Sequence, residues 1–235
     1  MGNWCCRRRR VAPSAGSSIG ILLLGLGGSG KTSLAHALLK VRPTAAPKPT
    51  TGCQVFPLRI QEHHVEITEI GGREDVRPLW KHYFLDALGL IFVVDGSKWQ
   101  RLPEARDVLI QLMQHELLQA KPLLVLVNKQ DRPDAVDHLD VIDFFNLSDL
   151  ANAFKTPTLV IGVSALQELK SLSQGLNWLV NTVTENYVVL TKRNQILREI
   201  VSQQQPNRRK GRSLFRTLSA RVRRKVRLLI LCLGD

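Results

Sequence analysis

The chain has 235 residues, of which 44% are hydrophobic, so it is large enough for one α/β domain with a sizeable core and tails. Its formal net charge of +13 lies at the two ends. Residues 7–10 contribute +4, and ten Lys/Arg with one Asp in 206–235 contribute +9, whereas 19 basic and 19 acidic residues cancel between 11 and 205. A neutral body argues against a nucleic-acid-binding domain, while basic ends attract any polyanion, including anionic lipid.

Cysteine usage and hydropathy predict a cytosolic protein. Cys5, Cys6, Cys53 and Cys232 lack metal-ligand spacing and form no disulfide framework, so we expect a reducing compartment. No apolar run reaches the roughly 18 residues that a membrane span needs. Four arginines, rather than an apolar stretch, follow the first cysteines, which is not typical of a secretory signal.

Apolar runs alternate with amphipathic stretches along the body of the chain. In chain order, the predicted strands are "IGILLLG", "CQVFPLRI", "HVEITEI", "LGLIFVVD", "PLLVLVN" and "PTLVIG". The predicted helices are "KTSLAHALLK", "LPEARDVLIQLMQHELL", "LDVIDFFNLSDLANAF" and "GLNWLVNTVTENYVVL". Strands that are apolar throughout and alternate with helices indicate a mostly parallel sheet covered on both faces.

Composition divides the chain into four segments. Residues 1–17 form a basic arm, and 18–190 form the α/β domain. Residues 191–212 contain a helical extension and a polar linker, and 213–235 a basic amphipathic segment.

The stretch "GLGGSGKT" fits G-x-x-x-x-G-K-[ST] between a predicted strand and a predicted helix. In this setting the glycines let backbone N–H groups surround phosphate oxygens, Lys31 reaches the β and γ phosphates, and the Thr32 hydroxyl ligates Mg²⁺. The candidate phosphate-binding residues are Gly25, Gly27, Gly28, Ser29, Gly30, Lys31, Thr32 and Ser33. A Gly-rich turn with a chance lysine is the alternative, and the loop alone leaves kinases, ATPases and GTPases open.

The motif Asn128-Lys129-Gln130-Asp131 follows a buried strand about 100 residues after this loop and resembles the guanine-binding N-K-x-D motif of the GTPase superfamily. By itself the motif could be a plain solvated loop. An aspartate carboxylate accepts from guanine N1–H and from the exocyclic amine, a donor pair that adenine lacks. Asn128 then braces the loop, and the stem of Lys129 lies along the base. Ser164 and Ala165, after the next strand, match a backbone contact to the guanine oxygen.

Together with these motifs, "RPLWKHYF", "GLIFVVD" and "GLNWL" resemble the ADP-ribosylation-factor-like small GTPases over residues 18–190. The resemblance implies a three-layer P-loop GTPase fold with a mixed, mostly parallel six-stranded sheet. It also implies GTP/GDP and Mg²⁺ as ligands, two switch segments, a role in vesicle trafficking, and a monomer that meets effectors and an exchange factor.

The switch residues depart from the family pattern. Thr50 matches the first-switch threonine that closes over Mg²⁺, and Gly72 matches the second-switch glycine that meets the γ phosphate. The expected metal-site residues are Thr32, Thr50 and Glu69. Glu69 stands where the family has an aspartate that holds an Mg²⁺-bound water, and its extra methylene either removes that water bridge or makes Glu69 a direct ligand. We therefore expect weakened or altered Mg²⁺ dependence of nucleotide affinity.

Arg73 replaces the glutamine that orients the attacking water, and Arg73, Gly72 and Thr50 are the candidate catalytic residues. Because guanidinium has donors but no acceptor, we expect very slow intrinsic hydrolysis. Two other roles for Arg73 are an arginine finger in cis, which would stabilise the developing charge, and a simple ion pair with Glu74 or Asp75. A pseudo-GTPase scaffold that recruits partners to a membrane is the alternative function.

Residues 1–17 and 213–235 favour membrane association. Gly2 is a candidate for myristoylation, and Cys5 and Cys6 beside four arginines are candidates for palmitoylation. The segment 213–235 predicts a basic amphipathic helix on an anionic membrane or a calmodulin-type target, with a disordered tail or a nucleic-acid arm as rivals. We expect peripheral association with a cytoplasmic membrane surface, at the Golgi, an endosome or a cilium by family analogy.

Overall fold

The computed structural model describes residues 18–41, 49–167 and 170–203. The strands are β1 Ile19–Gly25, β2 Cys53–Ile60, β3 His63–Ile70, β4 Gly89–Asp95, β5 Leu123–Asn128 and β6 Thr158–Gly162. The helices are α1 Lys31–Leu38, α2 Leu102–Gln114, α3 His138–Phe145, α4 Leu147–Ala153, α5 Lys170–Glu185 and α6 Tyr187–Gln203. Short 3₁₀ helices span Arg77–His82 and Trp99–Arg101.

The six strands form one mixed sheet in the order β2-β3-β1-β4-β5-β6. Only the β2–β3 hairpin is antiparallel, and every other pair is parallel. Strands β4 and β5 are buried at every position, as expected for parallel strands with helices on both faces, whereas the edge strand β2 is largely exposed. The predicted mixed, mostly parallel α/β fold is therefore confirmed.

Alternate residues of each central strand enter two different cores. Ile21 and Leu23 of β1 pack with α1 and α5, whereas Leu22 and Leu24 pack with α2, α3 and Trp80 of the first 3₁₀ helix. This alternation follows from the two-residue period of a strand, and it gives the domain its three layers.

Two predicted helices are each divided in the structure. The stretch "LDVIDFFNLSDLANAF" forms α3 and α4, because Asn146 takes the left-handed conformation (φ 52°) that commonly ends a helix. The stretch "GLNWLVNTVTENYVVL" lies partly in α5 and partly in α6, which are separated at Asn186. Helix α6 then continues to Gln203, and none of the described helices is long and apolar enough to cross a bilayer.

Candidate functional site

The candidate nucleotide site lies where β1, β4 and β5 end. Gly25 closes β1 beside Val93 of β4, and Asp95 of β4 pairs with Asn128 of β5. Since these strands are parallel, the loops that follow them share one edge of the sheet, which is where open α/β sheets bind ligands. This edge, with the residues that follow the three strands, is called the nucleotide pole below.

The loop after β1 has the backbone that a phosphate-binding loop requires. Gly25, Gly28 and Gly30 have φ values of 142°, 81° and 93°, which non-glycine residues rarely adopt. Gly30 lies against the Asn128 side chain, and a Cβ there would overlap the amide. The two sequence motifs are thus held in direct contact.

Lys31 is buried at the start of α1, and its side chain turns back over the loop. Its Nζ donates to the carbonyls of Gly25 (3.0 Å) and Leu26 (2.9 Å). Burial lowers the pKa of Lys31 to about 8, although the negative charge of Glu69 opposes the shift. A phosphate beside this ammonium would favour its charged form.

The three predicted metal-site residues come together. Thr32 Oγ1 donates to Glu69 Oε1 at 2.6 Å, Thr50 Oγ1 donates to the same oxygen at 3.2 Å, and the two hydroxyls are 3.3 Å apart. Glu69 is 1% exposed, and its Oε2 has no hydrogen-bond partner among the described residues. This buried group of hard oxygen donors fits Mg²⁺.

Glu69 is the one carboxylate of this cluster. Within the described ranges, no three His, Cys, Asp or Glu side chains form a candidate metal group. One protein carboxylate is typical of Mg²⁺ sites in which substrate phosphates supply further oxygens. The site therefore suits a metal–nucleotide complex better than a metal held by protein alone.

The residues predicted to read guanine are linked to the phosphate loop. Asn128 is buried, and its Nδ2 donates to Ser29 O at 2.9 Å. Lys129 Nζ donates to Gly28 O (3.1 Å) and to Asp95 Oδ2 (2.6 Å). Burial of Asp95 opposes its ionisation, but hydrogen bonds from Lys129 and Ser97 outweigh that effect and lower the pKa of the carboxyl.

Asp131 is positioned by the loop after β6. Ser164 Oγ donates to Asp131 Oδ1 at 2.6 Å and accepts from the backbone N–H of Leu166 at 3.1 Å. Ala165 is partly buried against the core that contains residues of α1 and α5. Ser33 lies in the first turn of α1. The hydrogen bond from Ser164 thus holds the Asp131 carboxylate, while Asn128 and Lys129 are held separately by the phosphate loop.

Gly72 lies directly on the phosphate loop. Its carbonyl accepts from the N–H of Gly27 at 3.0 Å, and a Cβ at this position would overlap Gly25 O. The preceding Gly71 donates its N–H to Gly52 O at 3.0 Å. These backbone bonds join the second switch to the phosphate loop and to the first switch. The close approach of Gly72 to the loop leaves no room for a side chain.

Arg73 forms an ion pair within its own turn. Its Nε and Nη2 donate to the two carboxylate oxygens of Asp75 at 3.1 and 3.0 Å, and its side chain is 57% exposed. Of the two carboxylates suggested by sequence, the structure selects Asp75. The Arg73 guanidinium is thus paired with Asp75 on the solvent-exposed side of the site.

Sequence reasoning missed a charged cluster beside the loop, here called the Glu104 clamp. Arg77 donates to Gly72 O (3.1 Å) and to Glu104 Oε1, while Arg101 donates to Gly27 O (2.7 Å) and to Glu104 Oε2 (3.0 Å). Burial of Glu104 disfavours its charge, but the hydrogen bonds from both arginines prevail and lower the pKa of the carboxyl. The clamp connects the second switch to the phosphate loop.

The clamp lines an open cleft of about 770 Å³ that also includes Arg73 and the loop glycines. Each clamp residue looks like an ordinary surface charge in the sequence. The one local signal is a proline at the start of each of two helices. Arg77 begins the first 3₁₀ helix, Arg101 precedes α2, and Glu104 lies in the first turn of α2. That signal does not identify which charges pair.

Comparisons with known proteins agree with this geometry. The family model described as the ADP-ribosylation factor family matches residues 10–183. ADP-ribosylation factor-like protein 1 of Saccharomyces cerevisiae is 34% identical over 165 residues, covering 70% of this chain and 87% of that protein. The Arl6 (BBS3) small GTPase of Trypanosoma brucei, solved with the nucleotide analogue GppNp, matches with a TM-score of 0.62 at 24% identity. That match covers 72% of this chain and 98% of the solved one, and at this identity it shows the fold alone.

Proposed function

Because this chain belongs to the ADP-ribosylation factor family of GTP-binding small GTPases, we propose that it is a switch at a cytoplasmic membrane surface with very slow intrinsic hydrolysis. The observation that carries the proposal is the pairing of Arg73 with Asp75 at the position of the family's glutamine. Guanidinium cannot accept a proton from an attacking water, and the ion pair also holds this side chain away from that role. Among the candidate catalytic residues Arg73, Gly72 and Thr50, Arg73 is the one that departs from the family and lowers the rate.

Hydrolysis of bound GTP in a single turnover tests this proposal. We expect Arg73→Gln to hydrolyse GTP at least about tenfold faster than the wild type, because glutamine can both donate to and accept from water. Arg59→Gln is the matched control, since Arg59 is also exposed and also pairs with a nearby carboxylate, that of Glu62. Equal rates in the wild type and Arg73→Gln would contradict the proposal.

The longer side chain of Glu69 would alter the Mg²⁺ contact, either by losing the water bridge of the family's aspartate or by ligating the ion directly. The longer side chain already reaches both threonine hydroxyls that we assign to the metal. Thr32, Thr50 and Glu69 would hold Mg²⁺, which would supply positive charge to stabilise the phosphates of the nucleotide. Lys31 would bind those phosphates.

Nucleotide release with and without chelator tests the role of Glu69. We expect Glu69→Asp to increase the acceleration of nucleotide release that EDTA causes, because aspartate restores the spacing that the family uses. Thr68→Ser is a control one residue away. An unchanged response to EDTA in Glu69→Asp would exclude the altered metal contact.

A scaffold function is the second candidate, favoured by the same Glu69 contacts. They join Thr32 of the phosphate loop and Thr50 of the first switch through protein atoms. In a scaffold the protein would bind GTP nearly permanently, or bind no nucleotide, and would act by recruiting partners to a membrane. The identity of the nucleotide that copurifies with the chain separates the two forms of the scaffold, one with GTP bound and one without nucleotide.

The switch surface that would contact effectors supports partners different from those of relatives with an aromatic cluster there. Relatives in this family commonly present three aromatic residues across the two switches. At the matching positions of this chain, Cys53 is exposed, Thr68 is half-buried, and Tyr83 is the one aromatic residue. A hydrogen bond with Cys53 raises the pKa of the Tyr83 phenol. Partners that rely on three aromatic anchors would lose most of their buried contact here.

Membrane association rests on the sequence of the two ends. Gly2, Cys5, Cys6, Cys232 and the segment 213–235 lie outside the described residues. Basic residues beside acylation candidates supply the two signals that stable anchoring needs. Liposome flotation of the full chain and of a chain ending at residue 205 tests the contribution of the C-terminal segment, and equal flotation would exclude it as an anchor.

A further inference from the structure

The second switch begins with two buried glycines, Gly71 and Gly72, which directly follow β3. A Cβ on Gly71 would overlap Thr50 O of the first switch, and a Cβ on Gly72 would overlap Gly25 O of the phosphate loop. The glycine pair therefore lies in close contact with both neighbouring segments of the site, and small movements of its backbone are restricted by them.

Both backbone polar groups of Gly71 have hydrogen-bond partners. Its N–H donates to Gly52 O at 3.0 Å, which connects it to the first switch. Its carbonyl accepts from the indole Nε1 of Trp80 at 2.8 Å. This is the contact through which a side chain of the hydrophobic core reaches the backbone of the second switch.

Gly72 has a paired carbonyl and an unpaired N–H. Its carbonyl accepts from the N–H of Gly27 at 3.0 Å and from Nε of Arg77 at 3.1 Å. No described residue accepts from the N–H of Gly72. Since buried backbone N–H groups are almost always paired, an unpaired donor in a buried residue beside the phosphate loop points to a ligand.

The hydrogen bond from Trp80 fixes the direction of this unpaired N–H. The peptide between Gly71 and Gly72 is trans, as are all those of the described residues, so its C=O and N–H point in opposite directions. Because the indole holds the Gly71 carbonyl, the N–H of Gly72 is directed away from the indole. Rotation of this one peptide would break the bond to Trp80 and turn the donor elsewhere.

Trp80 is a firmly held donor. It is 3% exposed and packs in the same core as Leu24, Leu26 and Phe84. It also belongs to the first 3₁₀ helix, whose first residue, Arg77, donates to the next carbonyl of the switch. One short helix thus holds two successive carbonyls, and Arg77 is itself fixed by the Glu104 clamp.

We propose that Trp80 is a positioning residue for GTP, whose indole N–H holds the Gly71 carbonyl so that the Gly72 N–H is directed to the γ phosphate. This inference rests on the GTP switch proposed above, and it adds a side chain through which the site distinguishes GTP from GDP. GDP lacks the γ phosphate, so loss of the indole donor affects the two nucleotides differently. A Trp80 that served packing alone would affect both alike.

Affinities of the full chain for GDP and for a non-hydrolysable GTP analogue test this role. Trp80→Phe keeps an aromatic ring in the core but removes the N–H donor. We expect the variant to bind the GTP analogue about tenfold more weakly than the wild type does, and to bind GDP within about twofold of the wild type. Phe84→Leu is the matched control, because Phe84 lies in the same core, is also 3% exposed and has no polar atom in its side chain.

The ratio of the two affinities decides the outcome. Equal weakening of both nucleotides by Trp80→Phe, or no weakening of either, would overturn this inference and leave the GTP switch standing. Replacement of Trp80 by 3-benzothienylalanine, in which sulfur takes the place of the indole N–H, removes the donor without changing the shape of the ring system. It repeats the comparison if Trp80→Phe does not fold, with the same expected result. A wild-type chain that binds neither nucleotide would overturn both the switch and this inference.

Discussion

The base side and the γ-phosphate side of the nucleotide pole differ in how closely they follow their family. On the base side, Asn128, Lys129 and Asp131 keep the family's residues, and hydrogen bonds connect them to the phosphate loop or to Ser164. On the γ-phosphate side, Glu69 and Arg73 depart from the pattern. This difference is the basis of the proposal that the chain holds GTP longer than its relatives do and hydrolyses it slowly.

The largest effect should come from the base side. We expect Asp131→Ala to weaken GTP binding about 100- to 1000-fold, because it removes a charged acceptor for two guanine donors. Asp134→Ala, an exposed aspartate in the same loop, should change binding little. Competition of GTP and ATP for the site measures the effect, and unchanged preference for GTP in Asp131→Ala would show that the base is read elsewhere.

The phosphate loop should give a pH dependence of intermediate size. The pKa of Lys31 is about 8 without nucleotide, and a bound phosphate raises it. Affinity should therefore be highest below pH 8 and fall by up to about tenfold per pH unit above it, until the pKa of the bound state is reached. Titration of a fluorescent GTP analogue from pH 7 to 9 measures the slope.

Lys31→Arg provides the control, because guanidinium remains charged across this pH range. We expect this variant to bind more weakly at pH 7 but with a nearly flat pH profile. A profile as steep as that of the wild type would assign the titration to another group.

The Glu104 clamp, which connects the second switch to the phosphate loop, should contribute a smaller effect. We expect Glu104→Gln to lower the free energy of unfolding by about 1–2 kcal/mol, because it weakens the charged hydrogen bonds to both arginines. Asp107→Asn breaks the more exposed pair with Arg106 and should cost less than about 0.5 kcal/mol. Urea unfolding compares the two variants, and equal costs would mean that the clamp is an ordinary surface ion pair.

Local sequence signals predict most of the fold and the positions of the three loops that meet at the nucleotide pole. Continuous apolar runs predict β4 and β5, and the glycine pattern predicts the tight loop after β1, where Gly25, Gly28 and Gly30 have positive φ values. These features depend on neighbours in the chain. Composition and spacing can therefore indicate them directly.

Contacts between distant residues could not be predicted in the same way. Arg101 reaches Gly27 across 74 positions, and Lys121, in a polar turn of the sequence, is fully buried because backbone carbonyls of residues 84 and 87 accept from it. The division at Asn146 was also missed, since a left-handed asparagine resembles any polar residue on the surface of a helix. Each case depends on tertiary partners or on a backbone state that residue type alone leaves open.

The nucleotide that copurifies with the full chain tests the central claim most directly. The chain is isolated rapidly in the presence of Mg²⁺, and its bound nucleotide is identified by chromatography after denaturation. If Arg73 prevents efficient hydrolysis while the base side remains intact, most of the bound nucleotide should be GTP, and Arg73→Gln should carry mainly GDP. Predominantly GDP on the wild-type chain would contradict slow hydrolysis, and a chain without nucleotide would contradict the GTP switch and favour the scaffold.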